Sequence, residues 1–243
     1  MKNGLYKYTA ISFLVVWCFG LVTLLASLMV SCATKPEVQV TPTTDYAKTF
    51  RDVARGAVMV EVSSKDVSGG GSGTVIWTNE KQALVLTCDH VVLNELTGKT
   101  HDKFVIIGPD GDRVMAQVQD RQKAHDMALL LTLGALNVKA LKIAKEEPNV
   151  YDKLLLVASP DGYRNTAAEG TLSAKSRDSF LGEYWQVTSF IFPGSSGGTV
   201  ANTAGELVGI PRAVHNTMFG ILPEIGFCIP LSHIQSFLRG YKL

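Results

Sequence analysis

The 243-residue chain carries a formal net charge of +1, with 46% apolar and 19% charged residues. That balance supports a packed core, excludes wholesale disorder and offers no basic stripe for a nucleic-acid partner. Four cysteines in so long a chain also exclude a small disulfide scaffold.

In chain order, Lys2 and Lys7 are the only charges before residue 33, and an uncharged apolar run fills residues 8–31. Positive charge followed by such a run reads as an export signal. Its length is near the roughly 20 residues a bilayer-spanning helix needs. Two readings stay open. Met29-Val30-Ser31-Cys32 resembles a bacterial lipobox, which would put a lipid on Cys32; alternatively the run is an uncleaved transmembrane anchor with its lysines in the cytoplasm. Both tether the protein to a membrane and place residue 33 onward outside the cytoplasm. Residues 32–50, with Pro36 and Pro42, read as a polar linker.

The body reads as short strands separated by turns. AVMVEV (57–62), TVIW (74–77), ALVLT (83–87), KFVII (103–107), RVMAQV (113–118) and MALLLT (127–132) come first. GGGSG (69–73) reads as a turn, and Pro109-Asp110-Gly111-Asp112 as a hairpin. A polar stretch, KEEPNV (145–150), marks a boundary, so 51–147 and 148–243 are taken as two β domains. LLLVAS (154–159), TLSA (171–174), YWQVTSF (184–190), GTVAN (198–202), ELVGI (206–210) and GFCIP (226–230) follow. This spacing predicts an all-β sandwich or pair of barrels. Only the tail looks helical, with Ser232 as cap and Ile234, Phe237 and Leu238 on one face. In the body, Cys88 and Cys228 read as one bridge or as two buried thiols.

Chemistry concentrates at three places. In Gly194-Ser195-Ser196-Gly197-Gly198 the glycines permit a sharp bend and close approach of a substrate. The Gly194 and Ser196 amides can then point at one spot, an oxyanion hole, beside the Ser196 hydroxyl. By itself the segment also fits a flexible surface loop. A serine needs a base, and His90 directly follows the buried run ALVLT, at the end of a rigid strand. Such a base needs a carboxylate to orient it, and Asp126 opens the apolar run MALLL. Asp89, Asp110, Asp112 and Asp120 read as hydrated turn residues, and His101, His125 and His233 as ordinary ones.

Together these motifs resemble the trypsin-like serine proteases, most closely the HtrA branch. The order His, Asp, Ser is that of chymotrypsin-type enzymes. Asp126-Met127-Ala128-Leu129-Leu130, Ala158-Ser159-Pro160-Asp161-Gly162 and Gly226-Phe227-Cys228-Ile229-Pro230 are similar to that branch's motifs in the same order, over roughly residues 55–240. The resemblance implies two six-stranded antiparallel β-barrels with a short C-terminal helix. It also implies a serine endopeptidase, with His90, Asp126 and Ser196 as catalytic triad, acting without cofactor or metal on exported or unfolded polypeptides. Cys88 and Asp89 before the histidine and Ser195 before the nucleophile depart from the branch's pattern. The chain ends 47 residues after Ser196, so the PDZ domain typical of the branch is not expected.

In this fold the segment before the serine and the strand after it line the primary pocket. No acid lies between Trp185 and Ser196, and Ile191 and Val214 would form a small apolar pocket, so cleavage after Val, Ala or Leu is expected. The rival expectation is a catalytically silent, protease-like binding module at the membrane surface. A phosphate cradle at GGGSG lacks the following Lys-Ser/Thr, and Cys88 with His90 falls far short of a zinc site.

Overall fold

The computed structural model describes residues 45–243 apart from 66, 95, 180–181 and 218–219; for 176–179, 182, 213–217 and 220–224 it describes the backbone alone. Cys32 and the apolar run at 8–31 therefore lie outside the described residues. Residues 44–243 form one compact unit. Among the described residues, no helix is long and apolar enough to cross a membrane.

The unit is two closed antiparallel barrels. The first contains β1 (Ala57–Ser64), β2 (Val67–Thr78), β3 (Ala83–Cys88), β6 (Lys103–Ile107), β7 (Arg113–Gln122) and β8 (Met127–Thr132), in the spatial order β1-β2-β3-β8-β7-β6. A two-stranded ribbon, β4 (Leu93–Asn94) with β5 (Lys99–Thr100), projects between β3 and β6 in sequence. The second barrel contains β9 (Lys153–Ala158), β10 (Thr166–Ser179), β11 (Gly182–Thr188), β12 (Thr199–Ala201), β13 (Leu207–Thr217) and β14 (Gly220–Pro230), ordered β10-β11-β14-β13-β12-β9. The all-β, two-barrel expectation agrees with this architecture.

Burial explains why these segments are strands. Every residue of β3 is buried, and β8 beside it is buried at five of six positions. A continuous apolar run, rather than an alternating one, is what a strand covered on both faces requires. One large core fills the first barrel with Val60, Leu86, Ile106 and Leu129, and reaches Ile210 and Ile229 of the second and Ile234 of the C-terminal helix. Leu156, Leu172, Trp185 and Val200 fill the second barrel. The connector between the barrels is tied to each: the Leu141 amide donates to Val75 O and the Ala144 amide to Leu207 O, both at 2.9 Å.

Three local expectations need correction. GGGSG is not a turn but the middle of β2. Its glycines are there because neighbours come too close for a side chain: a Cβ on Gly73 would lie 2.4 Å from Val85 Cγ1, and one on Gly71 would lie 2.7 Å from Val91 Cγ2. The predicted linker to residue 50 contains most of a helix, α1 (Tyr46–Ala54). Asp45 caps it by accepting from the Lys48 amide at 2.9 Å, a contact worth about 1 kcal/mol. Val53 is fully buried against Ala57, Leu141 and Leu155, with Tyr46 and Phe50 packed alongside. That apolar stripe, spaced at helical intervals within a polar stretch, holds the helix down. The last helix, α3 (Leu231–Phe237), starts one residue before the expected cap: Pro230 is the N-cap residue and Ser232 lies inside the first turn. Burial of Leu231 and Ile234 sets that start.

Candidate functional site

The first barrel brings His90 and Asp126 together through its register. Cys88, the last residue of β3, pairs with Met127, the first of β8. The residues just beyond that pair therefore meet: the Asp89 amide donates to Asp126 O at 3.1 Å. His90 sits in a single helical turn, α2 (Asp89–Val92). Its amide donates to Asp126 Oδ1 at 2.8 Å and its Nδ1 lies 2.7 Å from Oδ2. Asp126 adopts a left-handed conformation, φ 56°, at the end of a 3-10 turn over Lys123–His125. A non-glycine residue there is uncommon, and the paired bonds to His90 hold it.

Asp126 has a second partner. Arg212 Nε donates to Oδ2 at 2.7 Å, so one carboxylate oxygen receives both imidazole and guanidinium. Burial pushes the Asp126 carboxyl up. The hydrogen bond and charge of His90, the His90 amide and the charge of Arg212 together outweigh it and hold the group below the ordinary carboxylate value. Arg212 in turn lies over the Tyr184 ring, its guanidinium carbon 5.1 Å from the centroid.

The second barrel delivers Ser196 on the turn after Pro193. Gly194 and Gly197 have φ of 92° and 84°, which a side chain would strain. Ser196 Oγ donates to Arg212 O at 3.1 Å. Among the described residues no hydrogen bond joins Ser196 to His90. Arg212 nonetheless touches both halves, its carbonyl on Ser196 and its side chain on Asp126. The Ser195, Gly197 and Gly198 amides donate to Phe192 O, Pro211 O and Ser195 O at 2.9–3.0 Å. Those of Gly194 and Ser196 have no acceptor among the described residues, which leaves them free for a ligand.

Ser72, fully buried in β2, clamps this turn to the first barrel. Its hydroxyl donates to Gly194 O and accepts from the Ser159 amide, both at 2.7 Å. Its amide donates to Ser196 O at 2.8 Å, and its carbonyl accepts from Thr87 Oγ1 at 2.7 Å.

Asp89 is not the hydrated turn residue expected. It is 3% exposed, and both its oxygens accept from Arg121, at 2.5 and 2.9 Å. Cys88 and Cys228 are free, buried thiols. Burial, with the Asp126 charge, raises Cys88 well above the ordinary thiol value, and burial alone raises Cys228. Cys88, His90 and Asp126 present potential ligand atoms within 4.8 Å of one another. The set does not suit a metal: the Cys88 thiol donates inward to Pro211 O at 3.4 Å, and Arg212 already supplies the cation at Asp126.

Ile191 is 2% exposed and packs on Gly226, where an added Cβ would lie 2.3 Å from Ile191 Cδ1. Val214 pairs with Gly226 in the β13–β14 register; its side chain is outside the described residues. Sequence reasoning missed Arg212, Ser72 and the Asp89–Arg121 pair. Spacing carries no signal for contacts spanning 86 or 122 positions along the chain.

Two closed antiparallel barrels that share a core and bring these residues together define a trypsin-like peptidase domain. That family matches residues 71–210, and the chain belongs to it. Within the family it falls on the HtrA branch. It is 33% identical over 171 residues to a "Probable periplasmic serine endoprotease DegP-like" of Buchnera aphidicola subsp. Schizaphis graminum, covering 68% of this chain and 34% of the relative. It is 29% identical over 183 residues to a "Probable periplasmic serine protease do/HhoA-like" of Haemophilus influenzae, covering 73% and 37%. The chain thus spans about a third of the length of these relatives. Among solved structures, an "HtrA-type protease" AlgW "with tripeptide" superposes with a TM-score of 0.69 at 25% identity, over 80% of this chain and 62% of that one.

Proposed function

We propose that this chain is a serine endopeptidase working outside the cytoplasm, with Ser196 as nucleophile, His90 as general base and Asp126 as the carboxylate orienting it. The observation that carries the reading is the His90 Nδ1–Asp126 Oδ2 bond of 2.7 Å, which orients the imidazole and leaves its other nitrogen to act as base. His90 keeps 35% of its side chain exposed, so that nitrogen can meet a substrate. In this mechanism Ser196 Oγ gives up the Arg212 carbonyl and donates to His90 Nε2 instead. Oγ then attacks the peptide carbonyl while His90 takes its proton. The oxyanion lies against the Gly194 and Ser196 amides, and His90 returns the proton to the departing amine. Water, deprotonated by the same imidazole, releases the acyl group and restores Ser196.

In this reading the primary pocket is small and apolar: Ile191 packs on Gly226, with which Val214 pairs in the β13–β14 register, and Val, Ala or Leu is favoured before the cleaved bond. Membrane attachment through Cys32 or the apolar run, and export, rest on Lys2, Lys7 and the sequence of residues 8–32. Periplasmic naming of two relatives supports export. The partners of this reading are exposed polypeptides and the membrane.

A fluorophosphonate probe with a peptide-library digest tests it. The folded wild type should label and cut after small aliphatic residues, and Ser196→Ala should lose both, by about four to six orders in rate. A folded wild type that neither labels nor cuts overturns the reading. Cuts mainly after Lys or Arg overturn the pocket assignment.

A further inference from the structure

We propose that Arg212 is a positioning residue for this reaction and that its guanidinium sets the acid limit of activity. The inference rests on the triad reading above and adds a fourth charged group to it.

The geometry is specific. His90 Nδ1 and Arg212 Nε approach the same oxygen of Asp126, each at 2.7 Å. The Arg212 side chain is 18% exposed and that of Asp126 9%, so solvent screens them poorly. Tyr184, 3% exposed, backs the guanidinium and fixes its plane. When His90 takes a proton, Asp126 must serve two cations through one oxygen. The fixed guanidinium therefore stands against any positive charge that forms on the imidazole. It also adds a third hydrogen bond to a carboxylate whose other two go to His90, so Asp126 cannot swing away between turnovers.

The other titratable groups around the pair do not supply this effect. Cys88 packs behind it, and burial with the Asp126 charge keeps its thiol protonated. Burial raises the Tyr184 phenol, with the Arg212 charge opposing. Asp89 is closed on Arg121 through both oxygens. Arg212 is the cation that touches Asp126 among the described residues.

The test compares the full chain with Arg212→Met and Arg212→Lys, using kcat and KM on a Val- or Ala-directed peptide from pH 4.5 to 9. Arg212→Met should lose less than about tenfold in kcat on the neutral plateau, because both His90–Asp126 bonds remain, with little change in KM. The acid limb of its kcat/KM profile should move up by about one pH unit, costing a further tenfold or so near pH 5.5. Arg212→Lys keeps the charge but not the planar donor. It should return the acid limb to the wild-type position while recovering only part of kcat. A merely structural role would lower activity at every pH alike. An unshifted acid limb in a folded Arg212→Met, or the same shift in Arg212→Lys, overturns the proposal. Should the wild type show no activity, the protease reading fails separately. The NMR titration midpoint of the His90 ring then decides: higher in Arg212→Met supports the coupling, and equal midpoints overturn it.

Discussion

Two buried aspartates lie within hydrogen-bonded reach of the same histidine turn, and they are wired differently. Asp89 spends both oxygens on Arg121 in a fork-to-fork pair. Asp126 gives Oδ1 to the His90 amide and shares Oδ2 between His90 and Arg212. The first pair is closed: each group satisfies the other, and nothing remains for a substrate. The second is open, because one partner is a titratable ring that still faces solvent. The same residue type and nearly the same burial give a brace in one case and a chemical site in the other, and the number of partners per oxygen decides which.

That contrast can be broken at either end. The largest effect is expected for Asp126→Asn, which keeps the shape of the carboxylate but reverses the hydrogen-bond demand on His90 Nδ1. Peptide hydrolysis should drop by about four orders of magnitude, with the fold retained by circular dichroism. Asp89→Asn should act on stability instead. It leaves the Arg121 charge half-buried against a neutral amide, and about 3 kcal/mol of unfolding free energy should be lost in urea titration. The double variant Asp89→Asn with Arg121→Met should recover much of that loss, and activity per folded molecule should change little throughout. If Asp89→Asn abolished kcat without lowering stability, the division into brace and site would be wrong.

The smallest effect concerns another histidine next to this region. The rings of His125 and His233 stack with centroids 4.0 Å apart, and His233 Nδ1 is buried without a hydrogen-bond partner among the described residues. Burial lowers the proton affinity of His233, the charge of His125 lowers it further, and Glu183 and Glu147 partly oppose this. The folded state then binds fewer protons than the unfolded chain, so stability falls as pH drops through about 6.5. Acidification from pH 7.5 to 5.5 should lower Tm, and His233→Gln should shrink that decrease by about 1 °C, a small figure because the ring is partly exposed.

Much of the candidate site was legible because its elements are local. His90 and Asp126 stand beside the ends of buried, largely apolar strands, and Ser196 stands between two glycines of positive φ. The β segments were readable from continuous apolar runs and from the Pro109–Asp112 hairpin, where Gly111 has φ 93°. What escaped was long-range or ambiguous in pattern. GGGSG suggests a turn to any rule based on glycine content, yet its glycines answer to Val85, Val91 and the Ser196 carbonyl. Asp89 looked like a hydrated turn residue, and Arg212 gave no signal, because their partners lie 32 and 86 positions away along the chain. The α1 stripe was masked by the polar residues between Tyr46, Phe50 and Val53.

The Ser72 clamp has a consequence for how the molecule comes to be competent. Two of its four hydrogen bonds, to Gly194 O and Ser196 O, tie the turn carrying Ser196 to a strand of the opposite barrel. The C-terminal half, folding alone, would keep the bonds of Ser195 to Phe192 and Gly197 to Pro211 but lose the two that Ser72 supplies. On the proposed reading, a nascent chain would therefore carry no armed nucleophile until both halves have closed on each other.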